Sequence, residues 1–477
     1  MHVLYVHQNF PAQFGHIAQH LVDKLGYQCT FVSETPAGNV NGIEKIQYKL
    51  TGGATKQNHF CSRTFENNVW HCDAVYHALK ARADIRPDLI VGHSGFGSTL
   101  FLRELYPDVP VINFFEYYYN PHDVDSDMEY RKDLGWRMED EKFLRSRARN
   151  AMILLDLQNC QLGYCPTHFQ HSRFPKEYDQ KLRVLFDGID RTVYHGFDET
   201  LRPAIGNRPK RTLAGVDIPE GTRVVTYCSR GFESMRGFDI FMKAAKIICD
   251  ARDDVIFLVA GTDRIAYGGD EQYIGQKSFK EWTLAQDTYD LSRIRFVGRV
   301  TPLELSRMMA ASDLHMYLTV PFVLSWSMMD AMSCGAVVLG SDTAPVREVI
   351  RHGENGLLAD FFSPEAFAQQ ALDVLDDPAK FRPLGRAAEE MITQQFSLDA
   401  VLPKMVAMYE EASSIKSGLE APRTAPPEAK RQVMPKTLPR RDTPALESLA
   451  ISAPLKPAIQ VPVVKPEVKQ RKSPFHG

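Results

Sequence analysis

Two arginines in one short stretch could do chemistry. Arg230 and Arg236 stand in "YCSRGFESMRGF", after the apolar run "RVVTY" and before the helical pattern "DIFMKAAKII". A guanidinium gives paired, planar hydrogen bonds to phosphate oxygens, so two of them at a strand end suit a diphosphate. Gly231 and Gly237 would let the backbone approach such a group closely. A second stretch, "PFVLSWSMMDAMSCG" (Pro321 to Gly335), reads as a loop running into a helix. Free amides and the positive dipole end of that helix attract phosphate. Between these two, "LVAGTDRIAYGG" ends a strand at Gly261 and opens a loop. "FVGRVTPLEL" ends another strand across Gly298 to Val300, with a helix starting at Pro302.

Other constellations are weaker. "GHSGFG" (Gly92 to Gly97) nearly matches the G-x-S-x-G elbow of hydrolases, but Phe96 stands where the tight turn needs glycine. It reads instead as a glycine-rich turn between strand "PDLIV" and helix "STLFLREL", with His93 and Gly95 facing a ligand cleft. His16 and His20 have zinc-helix spacing, but Ile17 follows the first histidine where a zinc hydrolase has glutamate. They read as a surface pair. "HDVDSD" carries Asp123, Asp125 and Asp127, either a divalent-cation grip or a solvated loop. Met128 and Leu134 exclude an EF-hand. "KFLRSRARNAMILL" reads as a helix whose Arg145, Arg147 and Arg149 form a solvated face or a membrane-facing patch.

The elements that must hold these residues alternate. "HVLYV" is a short apolar run, "FGHIAQHLVDKLG" has helical spacing, and "QCTFVS" is a second strand. "PDLIVGHSG", "VPVINFF" and "KLRVLFDG" repeat the strand pattern. It restarts near Thr222 with "RVVTYCSR", "DVIFLVAG", "IRFVGRV", "DLHMYL" and "AVVLGSD". The fold class expected is α/β: two doubly wound, Rossmann-like domains facing across a cleft. The expected limits are 1–195 for the first domain and 196–413 for the second, divided at the polar "VYHGFDETLRPAIGNRPKR". The last helix is expected to pack back on the first domain. Ligands bind at the carboxyl ends of such strands, so the cleft is the default site. The remainder, 414–477, is dense in Pro, Lys and Arg and reads as a disordered basic tail: a solvated appendage, or a tether to an acidic surface or partner.

Composition agrees with this plan. The chain has 477 residues, 44% apolar and 24% charged, enough for two or three full cores. Its formal net charge of -3 gives no reason to expect nucleic acid as a partner. Eight cysteines without a C-x-x-C pair read as reduced thiols. The first residues lack the basic lead of a signal peptide, and no run approaches the ~20 apolar residues of a membrane span. The expected place is the cytoplasm, with peripheral contact at the inner membrane left open.

In order, these segments resemble the retaining, metal-independent glycosyltransferases of family 4, with the two-domain architecture called GT-B. "SRGFESMRGF" resembles the family's Gly-Arg…Lys-Gly diphosphate loop, with Arg236 in the lysine's place. "SMMDAMSCGAVVLGSDTAPVREVI…GENGLLAD" resembles the Glu-Ala-Met-Ala-Cys-Gly run and the segment C-terminal to it. "FVGRV" resembles the strand leading to the base pocket, and "FDGID" the Asn-Gly-Val-Asp end of the first domain. The resemblance implies a nucleoside diphosphate sugar as donor, no cofactor, and a glycan or lipid-linked acceptor. It implies that Arg230 and Arg236 neutralise the diphosphate, with Gly231, Gly261 and Val300 lining the nucleotide's place. Asp330 takes the position of the glutamate that holds the ribose. Amides from Leu324 through Ser325 and Trp326 to Ser327 would cradle the distal phosphate. Phe322 stands where another glutamate usually touches the transferred sugar, so sugar recognition should differ. Glu116 ends "VINFFE", near where many members place a histidine beside the sugar.

Overall fold

The computed structural model describes residues 1–36, 38–97, 99–122, 131–136, 139–196 and 207–415. Asp123, Asp125 and Asp127, the centre of the interdomain linker, and the basic tail beyond 415 lie outside the described residues. Two parallel sheets carry the chain. The first has the order β3-β2-β1-β4-β5-β6-β7, formed by β1 (His2–Val6), β2 (Gln28–Ser33), β3 (Ile43–Gln47), β4 (Leu89–His93), β5 (Val111–Phe114), β6 (Leu162–Cys165) and β7 (Leu182–Val184). A small antiparallel hairpin comes next, β8 (Arg211–Leu213) and β9 (Val216–Ile218). The second sheet has the order β12-β11-β10-β13-β14-β15, formed by β10 (Arg223–Cys228), β11 (Val255–Ala260), β12 (Ile294–Gly298), β13 (Leu314–Tyr317), β14 (Val338–Ser341) and β15 (Leu357–Ala359).

Both sheets are doubly wound because their strands are apolar on both faces. β1 and β11 are buried at every residue, which demands a helical layer on each side. In the first sheet the strand order reverses between β1 and β4; in the second it reverses between β10 and β13. Such switch points leave a crevice at the carboxyl ends of the two strands.

The elements differ from the sequence reading in a few places. β3 is an edge strand, half exposed, so its "IEKIQ" lacks a continuous apolar run. β6 and β15 are only four and three residues long. "STLFLREL" forms a short 3-10 segment, Leu100–Glu104, rather than an α-helix. "KFLRSRARNAMILL" is two helices, α3 (Asp140–Arg149) and α4 (Ala151–Asn159), which come after α1 (Gly15–Leu25) and α2 (Arg63–Lys80). They meet at Asn150, whose side chain accepts from Tyr119 N at 3.0 Å and donates to Tyr119 O at 2.9 Å. This pair of hydrogen bonds ties the junction of the two helices to loop backbone.

The final helix, Leu398–Ser414, lies in the core of the first sheet. Val401, Leu402, Met405, Met408 and Tyr409 pack in one cluster with Val3, Tyr5 and Phe14. Backbone bonds between Ile189 and the Phe396–Leu398 turn fix its entry (2.8 and 3.0 Å). No helix among the described residues is long and apolar enough to cross a membrane.

Candidate active site

The two switch points meet at one cavity of about 270 Å³. His7 follows β1 and His93 ends β4; both line it. From the second sheet come Arg230, after β10, and Val323, Leu324 and Trp326, after β13. Glu116, after β5, and Asp187, after β7, complete the first-sheet wall.

The loop after β10 is built for close approach. A Cβ on Gly231 would fall 2.4 Å from the Arg264 carbonyl oxygen, and one on Gly261 would fall 2.2 Å from that of Ser229. Gly261 also has φ +146, which other residues rarely adopt. Glu233 organises the same loop: one carboxylate oxygen accepts from Ala266, Tyr267 and Gly268 amides at 3.0, 2.8 and 2.9 Å.

The two arginines are not equivalent. Arg230 is exposed on the cavity wall, and its guanidinium makes no hydrogen bond among the described residues. Arg236 is enclosed. Its Nη1 donates to Thr319 Oγ1 at 2.7 Å and to Val323 O at 3.1 Å, and its guanidinium lies 4.9 Å over the Tyr267 ring. It thus braces the loop whose Val323 and Leu324 form the wall. Burial works against its charge, but Tyr317, Tyr267 and Glu233 nearby hold its pKa above the ordinary value.

The helix Trp326–Ser333 opens on the cavity, with Trp326 on the wall. Ser325 caps it: Ser327 N donates to Ser325 Oγ at 3.4 Å, and the two hydroxyls lie 3.0 Å apart. Tyr317 Oη accepts from Ser325 N at 2.8 Å.

The first-sheet wall is titratable, and burial works against charge on it. Burial lowers His7 to about 4. Burial, then its neighbour His7, lowers His93 to about 3; the rings lie 5.1 Å apart. Burial raises Glu116 against the pull of Arg236 and Arg230. Burial, then Glu116, pushes Asp187 up to about 8, and Asp187 Oδ1 is buried without a hydrogen-bond partner. Gln170 Nε2 donates to the Glu116 carbonyl oxygen at 2.6 Å, which fixes this strand end.

Of the residues expected from sequence, His93, Glu116, Arg230, Leu324 and Trp326 come together on the wall. Gly95 turns the chain at φ +89 beside it, and Phe96 takes the wall position. Asp330 is buried beneath, close enough to Cys228 and Tyr194 to raise both their pKa values, and burial holds its own carboxyl well up. Val300 packs against the Leu213–Ile218–Ala260 cluster and is not among the residues that line the cavity. Phe322 is 6% exposed and faces the core: its ring lies 4.7 Å edge-on from Tyr117 and 6.0 Å from Tyr267. His7, Asp187 and Tyr267 were not foreseen. "FDGID" at a strand end pointed to Asp187; nothing local marks the other two.

The contacts that join the two halves include three beside the cavity. Arg131 makes a buried bidentate pair with Asp239, at 2.9 and 2.7 Å. The Glu348 carboxylate accepts from His168 N and Phe169 N (2.7 and 2.8 Å) at the start of α5 (His168–Ser172). Phe322 meets Tyr117 across the gap.

Comparison with known proteins agrees with this geometry. Residues 25–194 match the model described as "Glycosyl transferase family 4 group", and residues 211–391 match "Glycosyl transferases group 1". A curated relative, N-acetyl-alpha-D-glucosaminyl L-malate synthase of Bacillus anthracis, is 25% identical over 233 residues, 49% of this chain and 53% of that protein. The chain thus spans about half the length of the curated relatives it matches. Among solved structures, sucrose-phosphate synthase from Thermosynechococcus elongatus superposes with a TM-score of 0.61 at 16% identity, over 86% of this chain and 98% of the other. Anabaena Alr3699/HepE, solved in complex with UDP-glucose, gives 0.57 at 15% identity, over 86% of this chain and all of the other (100%). With two matching models that cover residues 25–194 and 211–391, the chain belongs to the family 4, group 1 glycosyl transferases and has their GT-B fold.

Proposed function

We propose that the chain transfers a hexose from a nucleoside diphosphate sugar to a hydroxyl of a glycan or glycolipid, with retention at the anomeric carbon and without a metal ion. The pathway proposed is synthesis of a cell-surface polysaccharide or lipopolysaccharide, on the cytoplasmic side of the inner membrane. One observation carries this reading: both switch points open on a single cavity with Arg230 and a helix N-terminus on one wall. The bound UDP-glucose of the Anabaena protein supports a uridine donor as the first to test.

The barrier is cleavage of the anomeric C–O bond while the sugar becomes cationic and charge gathers on the leaving diphosphate. Arg230 and the amides of Leu324 and Trp326 face that charge, those of Ser325 and Ser327 being taken up by Tyr317 Oη and Ser325 Oγ, and Arg236 fixes their loop from behind. Preorganised donors of this kind contribute ~3–4 kcal/mol each. Asp330 holds the ribose from below. The acceptor's proton leaves to the departing phosphate oxygen, so no protein nucleophile is required. Closure of the walls excludes water and suppresses hydrolysis.

Arg230→Ala should weaken UDP binding by calorimetry and lower transfer from UDP-glucose by about 100-fold, or ~2.7 kcal/mol. Undiminished UDP affinity would show that the site map is wrong. Transfer should persist in EDTA; its loss would restore a metal role for Asp123, Asp125 and Asp127. Phe322, seated between Tyr117 and Tyr267, favours a second reading, a nucleotide-binding protein without transferase chemistry. UDP binding with neither donor hydrolysis nor transfer would select it.

A further inference from the structure

A second cavity, of about 410 Å³, lies beside the first, and Tyr267 lines both. One wall is a stripe of α3. Lys142, Arg145, Ser146 and Arg149 recur at i, i+3, i+4 and i+7, which is one face of a helix. The facing wall is the second half's segment around Asp270 and Tyr273.

Three of the four cations on this cavity have no carboxylate partner among the described residues. Lys142 Nζ donates to Tyr273 Oη at 3.3 Å and lies 4.6 Å over its ring. Arg149 Nη2 donates to Tyr119 Oη at 2.7 Å, with the guanidinium 3.8 Å over that ring. Arg145 lies 4.7 Å over the Phe60 ring, and its Nε is buried without a hydrogen-bond partner. Only Arg131 is neutralised, by Asp239 and Asp133. The acid on the wall, Asp270, already accepts from Ser234 N and Oγ at 2.8 and 2.7 Å. Burial, then the charges of Arg149 and Arg63, lowers the Arg145 pKa, as expected of positive charge gathered without an anion.

Part of the remaining surface is aromatic, set among Thr64, Ser234, Met235, Gly268, Gly269 and Gln272. Trp136 and Tyr273 stack at 4.7 Å with planes 7° apart. Flat apolar rings beside unpaired guanidiniums select a ligand with both an anionic group and a weakly polar, ring-shaped body.

We propose that this cavity holds the acceptor through a phosphate or carboxylate carried on a sugar ring, with Arg145 as the main contact and Lys142 and Arg149 beside it. The reading rests on the transferase function proposed above. It deepens that function by naming the acceptor class, an anionic saccharide, and it makes Tyr267 the partition between donor and acceptor.

The test uses the full chain and calorimetry. UDP, GDP and ADP are titrated first, and the best binder is kept saturating so that the diphosphate site is filled. Glucose 6-phosphate, glucuronate and glucose are then titrated. At least one anion should bind tenfold or more tightly than glucose; a preference for one names phosphate or carboxylate. Arg145→Ala should weaken that anion tenfold or more, Arg145→Lys should recover part of the loss, and nucleotide affinity should stay within twofold of the parent, which also reports an intact fold. Equal binding of glucose, absence of anion binding beside normal nucleotide binding, or unchanged anion affinity in Arg145→Ala would each overturn the anion site. Failure of all three nucleotides, with Arg145-dependent anion binding intact, would instead sink the transferase reading and leave the anion site standing.

Discussion

The two walls of the cavity between the switch points use opposite electrostatics. On the first-sheet wall, His7, His93 and Asp187 are titratable groups that burial keeps neutral near pH 7, and burial raises Glu116 in the same sense. On the second-sheet wall, Arg230 is exposed and charged beside a helix N-terminus. A neutral wall gives and takes hydrogen bonds without attracting ions, which suits sugar hydroxyls. A positive wall suits a diphosphate. On the transferase reading proposed above, the nucleotide would lie toward the second sheet and the sugar toward the first.

The strongest way to break this contrast is to let the walls part. Arg131→Ala leaves Asp239 buried and uncompensated, a loss of about 3–5 kcal/mol. Calorimetric melting should fall by several degrees, and UDP-glucose affinity should fall with it. Unchanged melting would mean that the buried pair does not hold the walls. Next in size, Phe322→Glu sets a carboxylate between Tyr117 and Tyr267, at a cost of about 2–3 kcal/mol unless the site opens to water. Donor preference among UDP-sugars should shift with it; unaltered preference and turnover would place Phe322 outside sugar recognition.

A pH dependence sharpens the neutral wall. The Asp187 carboxyl, at about 8, lies above its unfolded value near 3.8. The folded state therefore holds a proton that the unfolded state has lost. This stabilisation is complete below pH ~4 and is lost as pH rises through 8. Asp187→Asn should flatten the decline in melting temperature between pH 5 and 9. An equally steep decline in the variant would show that the neutral wall does not depend on this proton.

Much of this was legible in the sequence because strand, loop and helix are punctuated locally. "RVVTY" and "DIFMKAAKII" bracket the Arg230 loop, and glycines mark its close approaches. β3 was missed because one side of an edge strand is wet, and β15 because three residues carry no period. The unequal fates of Arg230 and Arg236 were hidden because Thr319 and Val323, which engage Arg236, come from another strand end. The lost acid at Phe322 was visible, but not its partner Tyr117, which belongs to the other sheet. Asp187 was visible as a motif residue; its neutrality depends on Glu116, placed beside it only by the fold.

The helix Leu398–Ser414 fills the core that begins at Val3. A ribosome delivers the chain in one direction, so the first sheet waits for nearly the whole described polypeptide before its core can close. Until then, the faces of Tyr5 and Phe14 that this helix covers stay open to water or to a chaperone. The second sheet has no such wait: its strands and the helices up to Met391 are complete earlier. The half synthesised last is therefore the half able to mature first, and a chain cut at 397 should keep a folded second sheet beside a first sheet that limited proteolysis destroys.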